Sequence, residues 1–390
     1  MPILDKAKIK AQVQAWNDAH AIGTRVQVKG RSEAKVTRTA AMMLFDQKAV
    51  IYLEGHNGYF DLDDVLPADQ AAHAQASPPP PTATPTPAPT PAAPAPVVAP
   101  RSAPAVQTGV ACMFPGQGSQ KSGMGADLFD AFPDQTRIAD RVLGYSIKEL
   151  CLSDTSGRLD RTQFTQPALF VVNALSWLSE RAKESAVPAF VLGHSLGEYN
   201  ALFAAGVFDF ETGLKLVQKR GALMAEAKAG GMAAVIGLSA ERVQEVLDEG
   251  GLGTLDLANL NSGTQVVISG PPDDLTRAEP VFEKAGSKMY IRLKVSGAFH
   301  SRYMKESADA FATFMRNFQY AEPAIPVISN VEAKPYDAHR IPELLTGQLT
   351  SPVRWADSVN YLVTQKVETF REVGPGAVLT GLVRKVRSGT

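Results

Sequence analysis

The stretch FVLGHSLGEYNALFAAG, Phe190 to Gly206, decides how this chain is read. An apolar run ends at Gly193, a serine stands at position 195 between Gly193 and Gly197, and a helix-like run follows. G-x-S-x-G between a strand and a helix lifts a serine hydroxyl to the head of a sheet. The glycines leave room in the sharp turn, and the helix turns its positive end toward the hydroxyl. A tight turn with a capping serine is the plainer reading; the strand–helix context favours Ser195 as a nucleophile.

A serine hydroxyl needs a base, most often histidine. The chain has six histidines. His20 and His56 fall in the first seventy residues, and His73 in a proline-rich stretch. His194 adjoins the serine, but neighbours on a sharp turn diverge. His339, in KPYDAHR, reads as an exposed loop residue. Elimination leaves His300, in KVSGAFHSRYM. Between Ser195 and His300 an acid is expected to orient the imidazole. Asp209, Glu211, Asp248 and Asp256 lie there, none on an obvious strand-end loop, so a backbone or amide oxygen is left for that task. The catalytic unit expected is therefore a Ser–His dyad. An oxyanion needs backbone donors. The N–H of Leu196, next after the serine, is one. The loop FPGQGSQ supplies the other, and its glycines point to the N–H of Gln117. A phosphate-cradling loop is excluded there, because no Lys-Ser/Thr follows at Walker spacing.

Composition divides the 390 residues into three zones. Residues 1–70 open with Ile9, Val13 and Trp16 at helical spacing, followed by short strand-like runs from TRVQVKG to GYFDLDDVL. This predicts a small helix-plus-β-barrel domain, SH3-like. Its first half is basic, and it is a candidate docking module; an autonomous domain with no partner surface is the alternative. Residues 71–108 are rich in Pro, Ala and Thr. They predict an extended linker reaching on the order of 100 Å at ~3.1 Å per residue. Residues 109–390 alternate strands and helices, the mark of an α/β domain. Within it, about residues 231–296 read β-α-β-β-α-β, the order of a ferredoxin-like α+β subdomain.

Net charge is −1 and apolar content 45%, so bulk electrostatics suggest no nucleic-acid partner. The two cysteines, Cys112 and Cys151, form neither a CxxC pair nor a disulfide framework, which fits a reducing cytoplasm. No signal peptide or membrane-spanning run is read, and no metal site.

FPGQGSQKSGMG, GHSLGEYNALFAAGVF, VQKRGALM, GAFHSRYM, PVISN, QLTSPVRW and EVGPGAVLTGLV occur in this order. Together they resemble the malonyl-CoA:acyl carrier protein transacylases. The likeness runs from Gly109 onward and leans toward the discrete, trans-acting acyltransferases that serve polyketide synthases. It implies a hydrolase-like α/β core carrying the ferredoxin-like insertion. It implies Ser195 as nucleophile, His300 as base, and Gln117 and Leu196 as the oxyanion hole. Gln348 holds the imidazole through its main-chain carbonyl, and Arg220 binds the acyl carboxylate. His194 and Phe299 are taken as substrate-lining, and Phe299 would crowd a methyl on the α-carbon. The reaction implied is ping-pong transfer of a malonyl group to the phosphopantetheine thiol of a carrier protein, with malonyl-CoA as substrate and no cofactor. The rival is an acyl hydrolase that clears stalled chains from carrier proteins. Its acyl groups carry no carboxylate, so Arg220 favours transfer.

Overall fold

The computed structural model describes residues 6–21, 23–29, 34–37, 41–44, 48–53, 59–67, 106–184, 186–227 and 230–389. The expected linker lies outside these residues up to position 105, as do His56 and His73. The chain divides into two compact units, Met1–Val98 and Ala99–Thr390.

In the smaller unit the helix Lys6–Ala19 sets Val13 and Trp16 against a core of Val26, Val28, Ile51, Leu53, Leu62 and Val65. The strands are short and antiparallel. Arg25–Val28 lies between Ala34–Val36 and Val65–Pro67, and Lys48–Tyr52 lies between Met42–Leu44 and Tyr59–Asp61. A bridge between Thr37 and Leu53 joins the two sheets. Val26 and Val28 are buried while Arg25 is exposed, the two-residue period of a strand with one face on a core.

The larger unit is built on a parallel sheet, ordered Val327–Ile328, Val187–Gly193, Val106–Phe114, Thr369–Glu372. Helices cover both faces, and the strands alternate between two cores. Cys112, Phe114, Val191 and Val327 point into one; Ala111, Met113, Leu192 and Ile328 point into the other. The first strand starts inside the stretch that composition gave to the linker, because Val106 and Gln107 pair with Val187 and Pro188. Leu214, Leu216 and Val217 of the helix Phe210–Glu226 are fully buried, as their spacing predicts.

The second sheet is antiparallel and comes wholly from one continuous stretch of chain. Its order is Asp256–Ser262, Gln265–Gly270, Gly231–Ile236, Met289–Arg292. The helices Ala240–Glu249 and Pro272–Lys284 pack on one face of it around Val243, Leu247, Leu275 and Phe282. The chain leaves this unit at Arg292 and reaches His300 eight residues later. The strands Val106–Phe114 and Val187–Gly193 are central neighbours, and the Gly-rich loop and the serine turn leave from their carboxyl ends. That is where parallel sheets open a crevice.

Candidate active site

The serine turn is as tight as its glycines require. A Cβ on Gly193 would lie 1.9 Å from the main chain of Gly197, and a Cβ on Gly197 would lie 1.9 Å from the carbonyl oxygen of Phe114. Ser195 is left in the left-handed region at φ 51°, and His300 at φ 58°. Such conformations cost a non-glycine residue on the order of 1–3 kcal/mol, so the surroundings must hold them. For the serine, Asn330 does so. Its Oδ1 accepts the Ser195 N–H at 2.8 Å, and its Nδ2 donates to the carbonyl of Gly193 at 2.7 Å.

The structure brings the hydroxyl and the imidazole together. Ser195 Oγ lies 2.7 Å from His300 Nε2, and His300 Nδ1 lies 2.8 Å from the carbonyl oxygen of Gln348. A carbonyl only accepts, so Nδ1 carries the proton and Nε2 is left bare to receive the hydroxyl's. The orienting group is thus a backbone oxygen. Of the acids considered for it, Asp209 caps a helix, Glu211 pairs with Lys215 and Arg141, Asp248 bonds Gln244, and Asp256 binds Arg302. Burial first, and then the charge of Arg220, push the imidazole pKa down to about 3, so His300 is neutral across the physiological range.

Two backbone donors beside this pair have no acceptor among the described residues. The N–H groups of Ser195, Gly197, Gly118 and Ser119 all find acceptors. Among the described residues, those of Gln117 and Leu196 find none. Both residues line the same cavity as Ser195 and His300. The two loops touch: a Cβ on Gly116 would sit 2.4 Å from the carbonyl oxygen of His194 and 3.7 Å from the nitrogen of Leu196.

Arg220 enters from the helix Phe210–Glu226 and is 1% exposed. Its NH1 donates to Gln166 Oε1 at 2.6 Å, and its NH2 to Gln348 Oε1 at 2.9 Å and to Ser195 Oγ at 3.2 Å. Its Nε is buried without a partner. No carboxylate lies within salt-bridge distance of it among the described residues. The cavity is small, about 100 Å³; Met224, Met232, Leu293, Val295 and Phe299 give it apolar walls, and Asn259 lines it as well. Phe299 is 5% exposed. His194 also lines the cavity, with Nε2 pinned at 2.8 Å to Asn261 Oδ1, and burial holds its pKa below the ordinary value.

Three residues went unread in the sequence. Gln166, in FTQPALF, is one of the two amides that hold Arg220. Asn330, in PVISN, holds the serine turn. Glu198 stands three residues after Ser195 and is fully buried. Its Oε1 accepts from the N–H of Asn330 and the hydroxyl of Tyr336, both at 2.7 Å, and its Oε2 accepts from Gln348 Nε2. Burial pushes its carboxyl up to about 7 against the pull of those donors. The one charged side chain of its helix, a turn after the serine, was the signal available.

With this geometry in hand, the chain can be set beside known proteins. The family model of the acyl transferase domain matches residues 112–388. A polyketide biosynthesis malonyl CoA-acyl carrier protein transacylase of Bacillus velezensis, BaeC, is 54% identical over 284 residues, which are 72% of this chain and 98% of that protein. The polyketide biosynthesis protein ThaF of Burkholderia thailandensis is 52% identical over 292 residues, 74% of this chain; the chain spans only 25% of ThaF. Among solved structures, a malonyl CoA-acyl carrier protein transacylase from Burkholderia pseudomallei superposes with a TM-score of 0.70 at 50% identity. The match covers 73% of this chain and 99% of that one. A malonyl-transacylase solved with its type II polyketide synthase acyl-carrier protein gives 0.69 at 38% identity, covering 72% and 93%.

Proposed function

The chain belongs to the acyl transferase domain family, and from that premise we propose that it transfers a malonyl group from malonyl-CoA to the phosphopantetheine thiol of an acyl carrier protein, in trans for a polyketide synthase. Ser195 is the nucleophile. His300 Nε2 takes the hydroxyl proton as Oγ attacks the thioester carbon, and the resulting oxyanion is received by the N–H groups of Gln117 and Leu196. The C–S bond breaks, His300 returns the proton to the leaving thiolate, and a malonyl-Ser195 ester remains. The carrier's thiol then gives its proton to His300 and attacks the ester. The new C–S bond forms as Oγ leaves and recovers the proton. Both halves balance with these groups alone, and malonyl-CoA is a substrate.

The observation that carries the reading is the state of Arg220. A buried guanidinium stays charged, and a buried charge without an anion is costly. Here it rests on neutral oxygens beside the nucleophile, with one donor unused. A malonyl carboxylate supplies the missing anion, bound by the planar fork. An acetyl group leaves the cation as it was. Phe299, Leu293 and Val295 keep water from the ester, so that the thiol, not water, receives the acyl group.

We also read residues 231–296 as a ferredoxin-like insertion in a hydrolase-like core, since its strand order is 2-3-1-4 in its own chain order. Residues 1–70 are read as a helix plus an SH3-like barrel that docks a synthase partner at the end of a linker that stops short of the strand at Val106. The acyltransferase domain runs from that strand to 390. Free, buried thiols at Cys112 and Cys151 fit a cytoplasmic setting. No helix among the described residues is long and apolar enough to cross a membrane.

The test is radiolabelled malonyl-CoA incubated with the chain and a holo carrier protein. Label on the carrier is the expected result. Free malonate with an unlabelled carrier would assign the chain to the acyl hydrolases instead.

A further inference from the structure

Glu198 has no step in the reaction just described, yet it is fully buried against the groups that perform it. Of its three hydrogen bonds, the one that reaches the catalytic groups is that from the Gln348 amide. A primary amide has a donor end and an acceptor end of nearly the same shape, and its surroundings decide which faces where. Gln348 Nε2 meets two groups that can accept, the Glu198 carboxylate and, at 2.8 Å, the carbonyl oxygen of Ser195. The amide oxygen is thereby turned to the other side, where it receives Arg220 NH2 at 2.9 Å. The far oxygen of Glu198 is held by Asn330 N–H and Tyr336 O–H, so the carboxylate cannot turn away.

On the malonyl reading above, we propose that Glu198 is a positioning residue that keys the Gln348 amide, so that Arg220 is held ready for an acyl carboxylate and the enzyme prefers carboxylate-ended acyl groups to neutral ones. Glutamine at 198 keeps the shape but not the logic. Its amide oxygen serves Asn330 and Tyr336, and its NH₂ then faces Gln348 Nε2, donor against donor. Either that contact breaks or the Gln348 amide flips and presents its NH₂ to Arg220. Both outcomes loosen the guanidinium; a flip also gives up the Nε2 bond to the Ser195 carbonyl, while neither removes an atom of the Ser195 Oγ–His300 Nε2 pair.

The experiment follows Ser195 acylation of the full chain by malonyl-CoA and by acetyl-CoA, with intact mass over time. In Glu198→Gln the malonyl-CoA kcat/KM falls about tenfold, carried by KM, while the acetyl-CoA value changes less than about threefold. Gln348→Met keeps the main-chain carbonyl that holds His300 and removes the amide. It loses the same preference, and adding Glu198→Gln to it costs nothing more. Tyr336→Phe leaves the carboxylate facing Gln348 and keeps the preference. An unchanged preference in Gln348→Met overturns the proposal whether or not the Glu198 variant folds. Equal losses for both acyl groups in Glu198→Gln also overturn it. A wild-type chain with no malonyl adduct overturns the function itself, whereas a normal wild type beside an unaltered Glu198→Gln overturns only the relay.

Discussion

The parallel-sheet core and the four-stranded insertion both border the pocket of Ser195, and they border it with different chemistry. On the core side Arg220, Gln166, Gln348, Glu198 and Asn330 are tied to one another or to the serine turn by hydrogen bonds of mostly 2.6–2.9 Å. On the insertion side Met232, and Leu293 and Val295 on the way out of it, contribute apolar surface. Asn259, which also lines the pocket from that side, has a buried Oδ1 with no partner. The difference assigns the work. In the reaction we propose, charge and proton traffic fall to the core, where they demand geometry. Size and dryness fall to the four-stranded segment and the residues after it, where they demand only bulk. Polar groups in a low-dielectric site must be satisfied or be costly, and that is why the core wall is a closed network.

The largest break in this division comes from the core. Arg220→Ala removes the cation and leaves the oxygens of Gln166 and Gln348 unpaired. We expect the preference for malonyl-CoA over acetyl-CoA, measured as the ratio of kcat/KM values, to fall by about a hundredfold. Equal losses for both substrates would mean that the guanidinium supports the fold and does not read the acyl group. A smaller effect is expected from the other wall. Phe299→Ala should raise methylmalonyl acceptance about tenfold and leave malonyl transfer within about threefold. It should also increase free acid released per acyl group transferred, because water gains entry. An unchanged methylmalonyl rate would remove Phe299 from specificity.

The smallest effect concerns pH. The His300 pKa is depressed from 6.5 to about 3 by burial and by Arg220. The free enzyme therefore keeps its neutral base as pH falls through 6.5, and kcat/KM for acylation should stay level there. In Arg220→Ala the second-largest of the causes that lower this pKa is gone, and the acid limb should move up toward the ordinary histidine value. The same shift bears on stability. The unfolded chain takes up this proton near 6.5 and the folded chain does not, so the group's contribution is full above 6.5 and is lost progressively as pH falls toward about 3. A wild-type acid limb centred near 6.5 would contradict the depressed value.

What the sequence disclosed follows the same division. That Ser195, Leu196 and Gln117 would meet at one place was legible because each sits on a turn with a local signature, glycine spacing beside a strand end. That His300 would lie beside the serine was legible by elimination among six histidines. The alternation of strands and helices over residues 231–292 was legible because local periodicity reports their lengths. The network behind the serine was not. Asn330 and the side-chain amide of Gln348 reach Ser195 from 135 and 153 residues away, and no periodicity links such partners; the family resemblance pointed only to the main-chain carbonyl of Gln348. Gln166 looks like any polar residue at the start of a helix until Arg220, 54 residues later, folds against it. Glu198 was read past because a glutamate on the first turn of a helix is ordinarily a solvated complement to the helix dipole. Here that helix is buried, with six of its eight residues in the interior, so the carboxylate had to find donors within the protein. Likewise the strand at Val106 begins within linker-like composition, because its pairing with Val187 and Pro188 outweighs what its own residues suggest.

The central claim is that one hydroxyl carries the acyl group between two thiols. The direct measurement is the intact mass of the full chain after exposure to malonyl-CoA, followed by peptide mapping. The account predicts a single malonyl adduct on the peptide containing Ser195, discharged by holo carrier protein and absent from Ser195→Ala. An adduct that persists in Ser195→Ala, or a wild-type chain that loads a carrier without ever carrying the malonyl group itself, would contradict it.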